Sequence, residues 1–429
     1  MSHQGGRLFP LLQARFLRGT IVSMIDQSLL SALSFCIALV LIRLGSKLEY
    51  GLYVQLFAVL MLSMNLQNAS INTPLIALGP KRSPEQMNLL VTHLLWLQFV
   101  VVLFLMMLAS AVLWVIVLGY DVPGLDTGLI LPFASWLGAS WLREYMRGYR
   151  FLQHTPHRVL LLDSVYAAMV LSGLGWFWMQ GATSLELLLW ILAAANLVSG
   201  LVSYSRSRLT ALPEWGKLGE SLRDTWELAR WGLPGVIVSW GIVNTYVYIA
   251  SSIEGTEAAA EIAAARLLMM PVGMLLVAWT RVYQPLASLW LSQQGMDKVL
   301  HAAKLSVLML LGIGLVYLTC LMYGYEMLEQ YVLGSDYAGL EPVVLLWGGY
   351  FMLSTVRLSG TAILIAAGKF KWMFYYALIG LLLLIPIALV LTLQLGIAGT
   401  VLGMSVVEAI LIVLLYRHGV YTLRKEHGH

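Results

Sequence analysis

Apolar residues in this chain come in runs of about twenty, parted by short polar gaps, from Thr20 to Tyr416. A helical run of that length matches the hydrocarbon thickness of a bilayer. In lipid the backbone groups must be satisfied within the segment, so such runs are helices rather than open strands. The pattern predicts twelve spans, at 20–42, 51–74, 88–118, 128–146, 159–179, 185–204, 228–252, 262–285, 300–322, 341–366, 373–393 and 396–416. The least regular is 128–146, which contains Pro132 and ends in charge. The longest polar gap, 205–227, splits the spans six and six. The expected organisation is an all-α polytopic membrane protein with two six-helix lobes over 20–204 and 228–416. A segment 1–19 precedes them, with a short interfacial helix over 8–18, a linker covers 205–227, and a tail covers 417–429.

Composition sharpens this. Of 429 residues 59% are hydrophobic and 11% charged, against about 25% charged in a soluble domain. The gaps are too short for an appended soluble domain, so whatever the chain does is done by the bundle. Basic residues gather in every second gap, among them Arg7, Arg15, Arg18, Lys81, Arg82, Arg143, Arg147, Arg150, Arg158, Arg206, Arg208, Arg424 and Lys425. The alternate gaps hold acids such as Asp121, Asp126, Glu254, Glu257 and Asp336. The positive-inside rule then places both termini in the cytoplasm, and the basic residues read as orientation signals rather than a nucleic-acid surface. The first run is too long for a secretory signal. Cys36 and Cys320 both fall inside spans, so no disulfide framework is implied.

The halves echo each other. Thr73-Pro74-Leu75-Ile76-Ala77-Leu78 ends the second span, and Gln284-Pro285-Leu286-Ala287-Ser288-Leu289 ends the eighth. Two halves in the same orientation form a parallel repeat, an arrangement used for alternating access.

Local sequence adds a resemblance. Arg43-Leu44-Gly45-Ser46-Lys47-Leu48-Glu49-Tyr50-Gly51-Leu52-Tyr53 is similar to the link between helices one and two of polysaccharide transporters, within the multidrug/oligosaccharidyl-lipid/polysaccharide (MOP) exporter superfamily. Trp231-Gly232-Leu233-Pro234, Ala263-Ala264-Ala265-Arg266-Leu267 through Pro271, Leu333-Gly334-Ser335-Asp336-Tyr337, Ala366-Ala367-Gly368-Lys369 and Gly396-Ile397-Ala398-Gly399-Thr400 follow the same order. The resemblance spans the whole chain. It implies a MATE-like fold and a Wzx-type flippase that moves an undecaprenyl-diphosphate-linked oligosaccharide across the bacterial inner membrane. O-antigen, capsule or exopolysaccharide assembly would be served, with membrane lipids and a polysaccharide polymerase as partners. One departure is Asn244-Thr245-Tyr246 in helix seven, where the family often carries an Asp.

Such a protein makes and breaks no bonds; it needs a wet, cationic cavity for sugar and pyrophosphate. Charge within a span costs about 3 kcal/mol or more, so it faces a cavity or a partner. The span-embedded candidates are Arg266, Arg281, Arg357, Asp26 and Glu408. On one continuous helix Arg266 and Arg281 would fall within about 60° of each other and about 22 Å apart along the axis, marking a cationic stripe. Guanidinium suits phosphate because its forked donors meet two oxygens. Alternatively, these arginines pair internally with Asp26 and Glu408, or Arg281 reaches the inner surface. Asp26 and Glu408 are candidates for proton or sodium coupling, or permanent counter-ions; no other cofactor is expected. Asn244, Tyr246 and Tyr248 are candidate sugar contacts.

Three other readings stay open, one of them peptidoglycan-precursor flipping, although that relative usually has two additional helices that this length does not accommodate. A small-solute or multidrug antiporter of the same superfamily needs an acidic, apolar site, whereas the arginines here outnumber the acids. A membrane glycosyltransferase or polymerase needs a large outer loop with paired acids, and none is visible. The chain has no P-loop sequence, so it shows no ATP site of its own.

Overall fold

A computed structural model describes the backbone of residues 5–207 and 213–423, with side-chain surroundings from Ile21 onward. Arg208, Arg424 and Lys425, with parts of the expected linker and tail, lie outside the described residues, as do the side chains of Arg7, Arg15 and Arg18. Among the described residues all regular structure is helical.

The chain forms α1 (Gly5–Leu44), α2 (Lys47–Gln67), a π-helical turn (Asn68–Asn72), α3 (Thr73–Leu78), α4 (Pro84–Gly119), α5 (Ile130–Leu152), α6 (Pro156–Gln180) and α7 (Leu185–Ser205). Then come α8 (Trp215–Glu254), α9 (Thr256–Leu268), α10 (Met270–Gln294), α11 (Met296–Tyr323), the short α12 (Tyr325–Leu328), α13 (Glu341–Ala366) and α14 (Phe370–Leu414). The separate helix expected over 8–18 is instead the start of a continuous α1, and α8 takes up the second half of the expected linker.

Sequence sets the helix starts. Ser46 Oγ accepts from Glu49 N at 3.1 Å while Glu49 Oε2 accepts from Ser46 N at 3.0 Å, a capping box that opens α2. Ser83 and Gln86 repeat it before α4, with Pro84 in the first turn, where its missing N–H costs nothing. Glu49 also accepts from Leu185 N at 3.1 Å, so the motif residue pins the start of α7 as well.

Residue contacts divide the chain into two units: residues 1–49 with 56–237, and residues 50–55 with 238–429. In the first unit, α4 turns Phe99, Val100, Phe104 and Met107 outward, an apolar face suited to lipid. The helix least apolar in sequence is the most buried: α5 hides Trp141, Tyr145, Met146, Tyr149, Arg143 and Arg150. A span that is polar needs protein around it rather than lipid. In the second unit, Tyr283, Ala287, Val299, Ile363, Leu364, Leu415 and Leu423 form a core where α10, α11, α13 and the end of the chain meet.

Two breaks shape the second unit. The expected spans 373–393 and 396–416 are limbs of one hairpin, α14, which reverses at Gly396 (φ 59°, ψ −144°). Gly380 packs on Leu411, Gly403 on Ala388, and the Thr392 and Thr400 hydroxyls meet at 2.8 Å, so the limbs run antiparallel. A Cβ at Gly399 would lie 1.9 Å from the Leu391 carbonyl oxygen, so only glycine lets the limbs approach this closely. The expected eighth span, 262–285, is likewise not one straight helix: α9 and α10 meet at 61°. Pro271 enters at the first turn of α10, where it cannot donate to the preceding turn.

Among the described residues, nine helices are long and apolar enough to cross a membrane, or ten when the bent pair is one span. The protein is therefore a multi-pass membrane protein by length and composition.

Candidate functional site

In the second unit the site is built around Arg266, near the end of α9. Its Nη1 donates to the Tyr246 hydroxyl of α8 at 2.9 Å. The guanidinium also lies 5.5 Å from the centre of the Tyr246 ring and 5.4 Å from that of Trp347 on α13. Trp347 is locked in turn: its indole N–H donates to the Ile262 carbonyl at 3.2 Å, and Tyr350 meets its ring edge-on at 5.2 Å. The small residues Ala258–Ala260 and Ala263–Ala265 let α9 sit this deep. Among the described residues no carboxylate pairs with Arg266; its neighbours are the phenols of Tyr246, Tyr350 and Tyr50. Its charge is held by aromatic faces, each worth about 0.5–2 kcal/mol, and remains electrostatically available to an anion.

Arg357 and Glu408 have each other. Arg357 Nε of α13 donates to Glu408 Oε2 on the second limb of α14, and Ser354 Oγ donates to Glu408 Oε1 at 3.0 Å. This is the internal pairing weighed above as the alternative to substrate and ion contact.

The other predicted residues separate. Arg281 is exposed on α10, and the bend at Met269 removes the common axis on which a stripe with Arg266 depended. Asn244 donates to the Trp240 carbonyl of its own helix at 3.0 Å, and Tyr248 donates to the Gln55 carbonyl at 2.9 Å. Of the three expected sugar contacts only Tyr246 joins Arg266.

The first unit holds a buried charge cluster. Arg147 of α5 reaches three carboxylates: Glu144 Oε2 at 2.8 Å, Asp163 Oδ2 of α6 at 2.8 Å, and Asp26 Oδ2 of α1 at 3.1 Å. Arg143 Nη1 contacts Asp163 Oδ1 at 2.7 Å while its guanidinium stacks on Tyr166 at 3.9 Å. Three carboxylates against two guanidiniums leave one formal negative charge. Among the described residues no donor reaches the buried Asp26 Oδ1, and the Asp163 carboxylate lies beside Asp26. The arrangement can take up a cation, a proton being the simplest.

No protein-family profile and no curated protein matches the sequence. Solved structures do match. An inward-facing multidrug-resistance MATE transporter of the MOP superfamily has a TM-score of 0.73 at 11% identity, over 92% of this chain and 95% of that one. The lipid II flippase MurJ, in an inward closed conformation, has a TM-score of 0.71 at 13% identity, over 94% and 87%. A MOP-superfamily transporter from Pyrococcus furiosus, described as having a binding pocket of reversed polarity, has a TM-score of 0.63 at 11% identity, over 96% of each chain. The chain has the MOP-superfamily transporter fold.

On this MOP-transporter fold the neighbours are transporters and a flippase rather than enzymes. Sequence reasoning missed most of the charge cluster. Arg143, Arg147 and Arg150 were expected on the inner surface and are instead turned inward on α5. Their spacing of four and three places them on one helical face, which was the available signal. Asp163, inside an expected span, is the natural counter-charge of Arg143 and Arg147.

Proposed function

We propose that the protein is a flippase that carries an undecaprenyl-diphosphate-linked oligosaccharide across the bacterial inner membrane for surface-polysaccharide assembly, by alternating access between its two units. What supports this reading most is Arg266: a guanidinium inside a helical unit, framed by aromatics and without a carboxylate partner among the described residues, on a MOP-transporter fold. An anionic pyrophosphate complements that charge, and pyranose rings complement the aromatic faces. With α5 and both limbs of α14 counted as spans beside the bent pair, the proposed topology has twelve; an even number puts both termini on one side, which we assign to the cytoplasm by the positive-inside rule. A polysaccharide polymerase would receive the cargo.

The surplus negative charge of the Asp26–Asp163 cluster is the proposed seat of a coupling proton or sodium ion. A cation antiporter would use the same cluster, and the two readings part at Arg266.

The test is flipping of labelled undecaprenyl-diphosphate oligosaccharide in vesicles holding the purified protein. The wild type translocates it, while Arg266→Ala slows translocation at least tenfold with unchanged protein level. In cells, deletion leaves lipid-linked repeat units on the inner leaflet. Undiminished flipping by Arg266→Ala refutes the assigned role, and cationic drug efflux with no lipid flipping favours the antiporter.

A further inference from the structure

A second cationic site lies at one end of the first unit, about one turn beyond the Arg143–Arg147 cluster along α5. Arg150 at the end of α5, Arg158 at the start of α6 and Arg206 at the end of α7 converge on a cavity of about 380 Å³, walled by Leu161, Leu162 and Val202. That volume falls in the usual range for small-ligand pockets, about 300–1,000 Å³. All three arginines sit at helix termini, the level at which spans leave the hydrocarbon for the headgroup layer.

Arg150 is 2% exposed and fixed in place. Its Nη2 donates to the Ser203 carbonyl at 2.6 Å, Nε to Ser203 Oγ at 3.2 Å and Nη1 to Gln153 Oε1 at 3.1 Å. These bonds cap the end of α7 and account for Arg150 structurally, yet part of its donor fork stays unspent. They do not account for Arg158 and Arg206. Both are exposed, neither forms an ion pair among the described residues, and both are close enough to repel Arg150. Three like charges held together with no carboxylate are stabilised by an anion between them. The apolar wall excludes a purely aqueous one: Leu161 is half exposed beside buried Leu162, a surface for glycerol and the first acyl carbons.

We propose that this pocket binds the phosphodiester head group of an anionic glycerophospholipid, with the Arg158 and Arg206 guanidiniums clasping its oxygens. Basic pockets between spans at the interface suit such head groups.

The test is native mass spectrometry of the full-length protein with three probes: dioleoyl phosphatidylglycerol, dioleoyl phosphatidylcholine and inorganic phosphate. Arg158→Gln/Arg206→Gln removes two exposed charges and spares the Arg150 cap. Phosphatidylglycerol should bind the wild type and weaken about 30-fold in the double variant. Arg223→Gln, an exposed arginine elsewhere, should leave binding unchanged. Undiminished phosphatidylglycerol binding in the double variant overturns the site. Equal wild-type retention of phosphatidylcholine, or phosphate binding as tightly as the lipid, overturns the ligand. None of these outcomes depends on what the protein transports.

Discussion

Removing Arg147 and removing Asp26 should have effects of very different size, although the two residues face each other. Arg147 holds carboxylates from α1, α5 and α6 within 3.1 Å. Arg147→Leu leaves Asp26, Glu144 and Asp163 with Arg143 alone, so the formal surplus rises from one negative charge to two and one further carboxylate loses its compensation. Stranding a buried charge costs about 3–5 kcal/mol. For a unit of this size that lowers the melting temperature by about 10 °C. Asp26→Asn instead removes the surplus negative charge and one ion pair, while Arg147 keeps Glu144 and Asp163. The cost should stay near about 1 kcal/mol. Thermal unfolding of detergent-purified variants, followed by size-exclusion fluorescence, measures both. Equal losses, or a greater loss for Asp26→Asn, would refute the charge accounting.

The Arg357–Glu408 pair predicts a rescue. Arg357→Leu leaves the buried Glu408 without its cation and should cut folded yield, whereas Arg357→Leu/Glu408→Leu should restore it, because replacing a buried ion pair by apolar residues is neutral or stabilising by about 1–4 kcal/mol; equal yields for single and double variants would count against the pairing. Gly399→Ala should open the α14 hairpin at a cost of about 3 kcal/mol, seen as lost monodisperse protein. Gly349→Ala on α13, where no atom lies within 4 Å of the added carbon, should be neutral or stabilising in the same assay.

How much was legible follows from which forces act locally. The runs of apolar residues placed a helix in each region where a long one stands, because lipid demands that the backbone be satisfied within each span, but they missed the bend between α9 and α10 and the start of α8. Glycine positions such as Gly396 and Gly399 were legible as a motif, and their reason became clear once Leu391 lay opposite. Arg143 and Arg147 were misjudged because charge beside a span end looks the same whether it meets water or a counter-charge on another helix. Only the tertiary approach of Asp26 and Asp163 decides that. The stripe from Arg266 to Arg281 failed for a local reason that was visible, Pro271, whose effect on direction depends on how the chain accommodates it. Asn244 and Tyr248 looked available because sequence does not reveal backbone carbonyls such as those of Trp240 and Gln55.

The interruption at Met269 has a mechanical meaning. Upstream, α9 is embedded almost throughout, while downstream α10 is embedded only at Val272, Leu276, Tyr283 and Ala287. The Leu268 carbonyl at the joint accepts from the Tyr317 hydroxyl of α11 at 2.6 Å, so the discontinuity leaves no acceptor stranded there. A single straight rod would hold both segments to one axis; the break instead lets α9 seat the Arg266 guanidinium against Tyr246 and Trp347 while α10 follows its own course into the packing with α11 and α13.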